Sequence, residues 1–175
     1  NLSPCKSLKS IRLANSSKLA NLDISGCKNL EKLWVHNSIF ETIDLSSNTN
    51  LKDKNFFTGK LKKIYLTNNT KLTNLLLKGN NLKYLDLTQN EDLVELNCDS
   101  NEIKYIALGS NKNLKNISVH ENNLTALDLK LTEDKDDINN QEYSLTVSES
   151  DFERMKSNDS IAKSLYSSRL PGHPD

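Results

Sequence analysis

The stretch Leu72-Thr73-Asn74-Leu75-Leu76-Leu77-Lys78-Gly79-Asn80-Asn81-Leu82 decides how this chain folds. Leu72, Leu75 and Leu77 fall at offsets 0, 3 and 5, with Leu76 between the last two, an asparagine follows at offset 8, and Leu82 opens the next copy. The same offsets recur from starts at residues 8, 19, 30, 40, 51, 61, 72, 82, 93, 103, 114 and 124, always 10 or 11 apart. Two such half-units make a repeat of about 21 residues, the period of stacked coils. Offsets 0, 3 and 5 over the twelve half-units give 36 positions, of which 35 are apolar or Cys; Lys54 is the exception. The 175-residue chain is only 35% hydrophobic, so chance does not supply that concentration.

Offsets 3 and 5 are two residues apart, so in an extended segment both side chains face the same way. Offset 8 falls where the chain must turn. It reads Ser16, Cys27, Ser38, Asn48, Gly59, Asn69, Asn80, Asn90, Asn101, Asn111, Asn122 and Thr132. Asn suits that place because its amide satisfies turn backbone groups that water cannot reach. The expected cross-section is an inner ladder of Leu and Ile beside a ladder of Asn. At a mean hydropathy of −0.62, a sufficient core forms only if nearly every apolar residue points inward, as this register requires. Lys54 breaks the ladder, and residues 51–57 are expected to bulge or form a short helical turn.

The remaining composition narrows function by exclusion. Lys+Arg and Asp+Glu are both 23, so formal net charge is zero, unlike a polybasic nucleic-acid or membrane-surface protein. No stretch approaches the ~18 continuous apolar residues of a spanning helix. There is no G-x-S-x-G, phosphate-binding loop, HExxH or paired-Cys zinc spacing, and the three histidines, His36, His120 and His173, are too scattered for a metal or catalytic pair. No cofactor is expected. N-x-S/T sequons, among them Asn15, Asn68, Asn116, Asn123 and Asn158, follow from the richness in Asn, Ser and Thr. Cys5 and Cys27 share an offset one repeat apart, close enough for a bond but poorly aimed for one, and Cys98 lies several coils away; free thiols serving as small apolar residues are the favoured reading.

The pattern L-x-x-L-x-L-x-x-N-x-L, carried without a gap by Leu72, Leu75, Leu77, Asn80 and Leu82 and again by Leu93, Leu96, Cys98, Asn101 and Ile103, resembles the leucine-rich repeat family. The resemblance covers residues 2 to about 131. The 21-residue length, the Leu22-Asp23-Ile24, Leu85-Asp86-Leu87 and Leu127-Asp128-Leu129 triplets and Leu96-Asn97-Cys98 look like bacterial cell-surface repeat proteins of the internalin-like group. A full cysteine ladder is absent, since only Cys98 takes a strand position. The Leu-Pro repeats of bacterial ubiquitin-ligase effectors are absent too, Leu170-Pro171 lying outside the array.

The resemblance implies a right-handed, parallel β-rich solenoid of about six repeats with short turns. It also implies a non-catalytic role in binding a protein partner, on a host or on a cell surface, and a location outside the cell or on its surface. A structural spacer or glycan-binding segment of a larger adhesin is the alternative. Residues 1–131 would form the solenoid and 132–175 a small α/β cap. Within the cap, 132–141 reads as a loop, 143–147 as a strand and Ser148 with Asp151 as a helix start. Phe152, Met155, Ala162, Leu165 and Tyr166 read as one apolar stripe, and 170–175 as a breaker-rich tail. Leu2 and Cys5 fall at offsets 5 and 8 of a preceding half-unit, so the chain is expected to start inside a repeat.

In the family, the half-units starting at 8, 30, 51, 72, 93 and 114 line the concave sheet, and there offsets 2, 4 and 6 face outward. Offset 4 reads Arg12, Trp34, Asn55, Leu76, Asn97 and Ser118; offset 6 reads Ala14, His36, Phe57, Lys78, Asp99 and His120. Arg12, Lys32, Trp34, His36, Asn55, Phe57, Leu76 and Lys78 are therefore the candidate binding patch, around the only Trp in the chain. A packing plug, with Phe57 and Trp34 tucked over a bulged 51–57, is a second reading, and scattered exposure a third. On the other half-units offset 4 reads Asp23, Asp44, Tyr65, Asp86, Ala107 and Asp128; these carboxylates do not converge as cation ligands and read as structural. Tyr65, Tyr84 and Tyr105 form a second outward aromatic group, a lesser candidate binding patch or a face that packs against a neighbouring domain.

Overall fold

A computed structural model describes residues 1–128 and 144–156 of the chain. Six strands recur at steps of 21 or 22 residues: β1 (Ser10–Leu13), β2 (Lys32–His36), β4 (Asp53–Phe57), β6 (Asn74–Leu76), β8 (Glu95–Asn97) and β10 (Asn116–Ser118). They pair in parallel, each with the next coil, and β12 (Ser144–Thr146) adds a seventh strand beside β10. On the other half-units, β3 (Thr42–Asp44) pairs β5 (Lys63–Tyr65), while β7 (Tyr84–Leu87), β9 (Tyr105–Leu108) and β11 (Ala126–Asp128) form a separate three-stranded sheet. The result is a parallel β-solenoid of about five turns with little helix, which is the leucine-rich repeat fold.

The register is the one the spacing requires. Leu33, Lys54, Leu75, Leu96, Ile117 and Leu145 are successive partners along the seven-stranded sheet. All but Leu145 are buried, and Leu145 packs partly against the same continuous core. Burial alternates along β2 and β4, as expected for strands with one face on a core and one in solvent. In the first coil Leu8, Leu13, Leu19 and Leu22 are only partly buried. A coil with one stacking neighbour covers less of its ladder than a coil with two.

The expectation of a bulge or helical turn at 51–57 is corrected. Residues 53–57 form one of the two longest strands, paired residue for residue with β2. Lys54 stays in the ladder, fully buried, because its four-carbon stem fills the space of a leucine and its amine reaches a polar ladder across the core. Phe56 points inward and meets Phe40 edge to face at 6.2 Å between ring centroids.

Asparagines fill the turns in two ways. Asn48, Asn69, Asn90 and Asn111 each donate Nδ2 to two carbonyls of the preceding coil, as Asn69 does to Leu45 O (3.0 Å) and Asn48 O (2.8 Å). Asn80, Asn101 and Asn122 donate Nδ2 both within their own turn and to the preceding coil. Their Oδ1 atoms accept from the backbone N–H of Leu61, Leu82 and Ile103. Just before the second ladder the backbone turns left-handed in every coil, at Asn15, Asn37, Thr58, Gly79, Ser100 and Glu121. Gly79 and the two asparagines suit that conformation; Thr58, with a branched Cβ, does not.

Helix α1 (Glu149–Lys156) closes the described structure. Ser148 Oγ accepts from the Asp151 N–H at 3.2 Å and donates to Asp151 Oδ2 at 2.5 Å, the start expected from that pair. Asp151 Oδ1 accepts from the Leu124 N–H at 2.9 Å, the position a further ladder asparagine would hold. Its Oδ2 accepts from the Asn122 N–H at 3.0 Å, where the equivalent Asn101 N–H donates to Glu121 O of the next coil. Arg154 donates to Asn122 O and to Asp151 Oδ1. Phe152 is buried. The expected loop at 132–141, the side chain of Met155, the residues Ala162, Leu165 and Tyr166 and the tail at 170–175 lie outside the described residues.

Candidate binding face

The site is built on the outward side of β1, β2 and β4. Inward Leu33 and Val35 fix β2 to the core, so Lys32, Trp34 and His36 must face solvent. Arg12, Trp34, Asn55, Leu76, Asn97 and Ser118 are consecutive cross-strand partners, so the outward column follows the sequence register. His36 pairs with Phe57 two residues on. Arg12, Ala14, Trp34, His36, Asn55 and Phe57 together line a shallow depression of about 310 Å³.

Trp34 is exposed but not loose. The Arg12 guanidinium carbon sits 5.1 Å from its ring centroid, a cation–π contact. With the Asn55 amide turned as its neighbours require, Trp34 Nε1 donates to Asn55 Oδ1 at 3.1 Å, and Asn55 Nδ2 donates to Lys54 O at 2.9 Å. The indole is thereby held at its face and at its N–H. The bulge on which the packing-plug reading depended is absent: β4 is in register, Phe56 goes to the core and Phe57 stays on the outer face, half-buried.

The other candidates flank the depression. Lys32 pairs with Asp53 at 3.6 Å and Lys78 with Asp99 at 4.0 Å. Leu76 lies beside Asn55, half-buried. Further along, the face is polar and satisfied by its own groups. Asn74 Nδ2 donates to Glu95 Oε2 at 2.7 Å, and Asp99 Oδ1 accepts from Ser118 Oγ at 2.7 Å and from the His120 N–H at 2.8 Å.

On the opposite half-units Tyr84 and Tyr105 stack at 5.8 Å between ring centroids, 13° from parallel. Tyr65 lies on β5 in the two-stranded sheet, with Lys63 Nζ 4.6 Å from its ring centroid. The Asp column is structural where it is described. Asp23 and Asp86 each accept from the amide and hydroxyl of the residue two on, Ser25 and Thr88, and Asp44 accepts from the Ser46 amide. Hydrogen bonds from Ser25 hold Asp23 below its usual carboxyl range, and those from Ser46 do the same for Asp44. No group of three or more His, Cys, Asp or Glu that could hold a metal occurs among the described residues. The three cysteines are free; burial raises the Cys27 and Cys98 thiols, and Cys27 Sγ donates to Leu2 O at 3.2 Å. No helix among the described residues is long and apolar enough to cross a membrane.

Sequence reasoning brought the patch together but missed three things that need coordinates. These are the anchoring of Trp34 by Arg12 and Asn55, the left-handed column one residue before the second ladder, and the replacement of a ladder asparagine by Asp151.

No family model matches the chain, and no curated protein matches it. Among solved structures, a chain of the Toll–Spatzle complex of Drosophila is similar at 17% identity and a TM-score of 0.59; the similarity covers 80% of this chain and 22% of that one. The functional domain of InlJ from Listeria monocytogenes, which includes a cysteine ladder, is similar at 18% identity with a TM-score of 0.42, covering 85% of this chain and 45% of that domain. A leucine-rich repeat protein of Leptospira interrogans is similar at 19% identity with a TM-score of 0.48, covering 89% and 48%. This chain thus spans less than half the length of each.

Proposed function

We propose that this leucine-rich repeat solenoid is a non-catalytic protein-binding module of a bacterial surface or secreted protein of the internalin-like kind. In this reading it engages its partner through the outward side of β1, β2 and β4, and residues 132–175 complete a cap on the array. The observation that carries the reading is the depression around Trp34, an aromatic residue left at a solvent-facing position and held there from two sides. Large aromatic anchors beside half-buried neighbours are the usual centres of protein interfaces. A chain of one protein complex, Toll–Spatzle, shares the fold, so a solenoid of this shape is compatible with service in such a complex.

A structural spacer is the second reading, favoured by the self-paired polar half of the same face at Asn74, Glu95, Asp99 and Ser118. The two separate in a pulldown from candidate host or surface proteins. Trp34→Ala with Phe57→Ser is compared with Tyr84→Ala with Tyr105→Ala, circular dichroism confirming the fold of each. Loss of the bound partner in the first pair alone supports the module. A partner that survives the first pair, or an array that captures nothing specific, supports the spacer.

A further inference from the structure

Among the outward cations on or just beyond β1, β2 and β6, Arg12 is set apart. Lys32 has Asp53 and Lys78 has Asp99, but Arg12 has no carboxylate within ion-pair distance among the described residues. It is nevertheless held in place over the Trp34 ring. None of the residues lining the depression is acidic, and its aromatic lining is Trp34 and Phe57. We infer that the depression receives an acidic side chain, Asp or Glu, next to an apolar residue in an extended segment of a protein partner. The inference rests on the binding-module reading and specifies its ligand.

The chemistry follows from what is already occupied. Guanidinium is a planar fork that pairs a carboxylate through two N–H groups while its face remains on an aromatic ring. An incoming carboxylate therefore does not have to break the Arg12–Trp34 contact. The apolar neighbour of the acid then has Trp34 and Phe57 to cover. A sugar ring is the poorer fit. It would use an aromatic face and the indole donor, and Arg12 covers one face while Asn55 Oδ1 takes the indole N–H. A basic partner segment would meet Arg12 with like charge.

The chain contains one tryptophan, so its fluorescence reports on this site alone. The full chain is titrated to millimolar concentrations with the capped peptide Gly-Glu-Phe-Gly, its Gln and Lys counterparts and free glucuronate. The Glu peptide is expected to shift the Trp34 emission and to bind at least tenfold more tightly than the Gln peptide, with the difference shrinking as salt rises. Arg12→Gln is expected to erase that preference and Arg12→Lys to retain part of it, both with unchanged circular dichroism. Equal binding of the Gln peptide, or a Glu preference that survives Arg12→Gln, overturns the acidic ligand while leaving the binding face standing. Glucuronate binding as tightly as the Glu peptide overturns the peptide assignment. No response to any peptide overturns the inference, and the pulldown of the paired variants then decides the binding-module reading separately.

Discussion

Lys54 Nζ donates to Asn69 Oδ1 at 2.8 Å across the solenoid core, from the sheet ladder on one side to the asparagine ladder on the other. Asn69 is thereby distinguished from its neighbours, because Asn48, Asn90 and Asn111 hold the same position with Oδ1 buried and unpartnered. The amine has an acceptor but no carboxylate partner among the described residues, and burial drives its pKa well below that of a free lysine.

Replacing Lys54 with Met is expected to stabilise the protein. The thioether chain fits the same slot, and Asn69 then joins three ladder neighbours that already lack a partner for Oδ1. Removing the desolvated amine is expected to gain on the order of 1–3 kcal/mol, read as a higher denaturation midpoint. The sign with pH follows from the lowered pKa. Between the folded and unfolded values the unfolded chain binds the proton and the folded chain does not, so stability rises with pH towards the unfolded lysine value and falls on acidification. The gap between Lys54→Met and the parent should therefore widen as pH falls through that window; a gap that does not vary from pH 6 to pH 10 would count against a buried neutral amine.

Asp151 should be the most sensitive residue of the C-terminal helix. Replacing it with Ala leaves the Asn122 and Leu124 N–H groups without their acceptors. The expected cost is about 2–5 kcal/mol, with fraying that begins at β10 and β12 in hydrogen exchange. Asp151→Asn keeps an Oδ1 for Leu124 and should recover part of the loss. An alanine variant as stable as the parent would show that the helix does not seal the array through this carboxylate.

Thr58→Gly is expected to raise stability by about 0.5–1 kcal/mol. Thr58 has φ of 49°, the conformation that Gly79 takes at the same position one coil later. Urea unfolding with an unchanged slope and a higher midpoint is the expected result. A lower midpoint would show that the threonine side chain contributes more in contacts than its backbone costs.

Most of the fold was legible because burial in a solenoid is periodic. Leu33 had to lie beside Ile11 and Leu75 beside Leu96 once the spacing was counted, and Arg12, Trp34 and Asn55 had to be neighbours on the other side of the same sheet. Lys54 was misread because residue type alone says that a lysine leaves the core, whereas its acceptor lies on a different ladder, 15 residues away. The left-handed column was invisible because Asn, Thr, Gly, Ser and Glu share a backbone angle there and no side-chain chemistry. The part played by Asp151 depends on contacts to residues 27 and 29 positions earlier, which no local pattern encodes.

The most direct test of the binding face is photo-crosslinking to a captured partner. A photoreactive residue is placed in turn at His36, on the rim of the Trp34 depression, and at Ala107, on the outward side of β9. The account predicts a partner adduct from position 36 and none from position 107. Adducts from position 107 with none from position 36 would contradict it and move the interface to the opposite sheet.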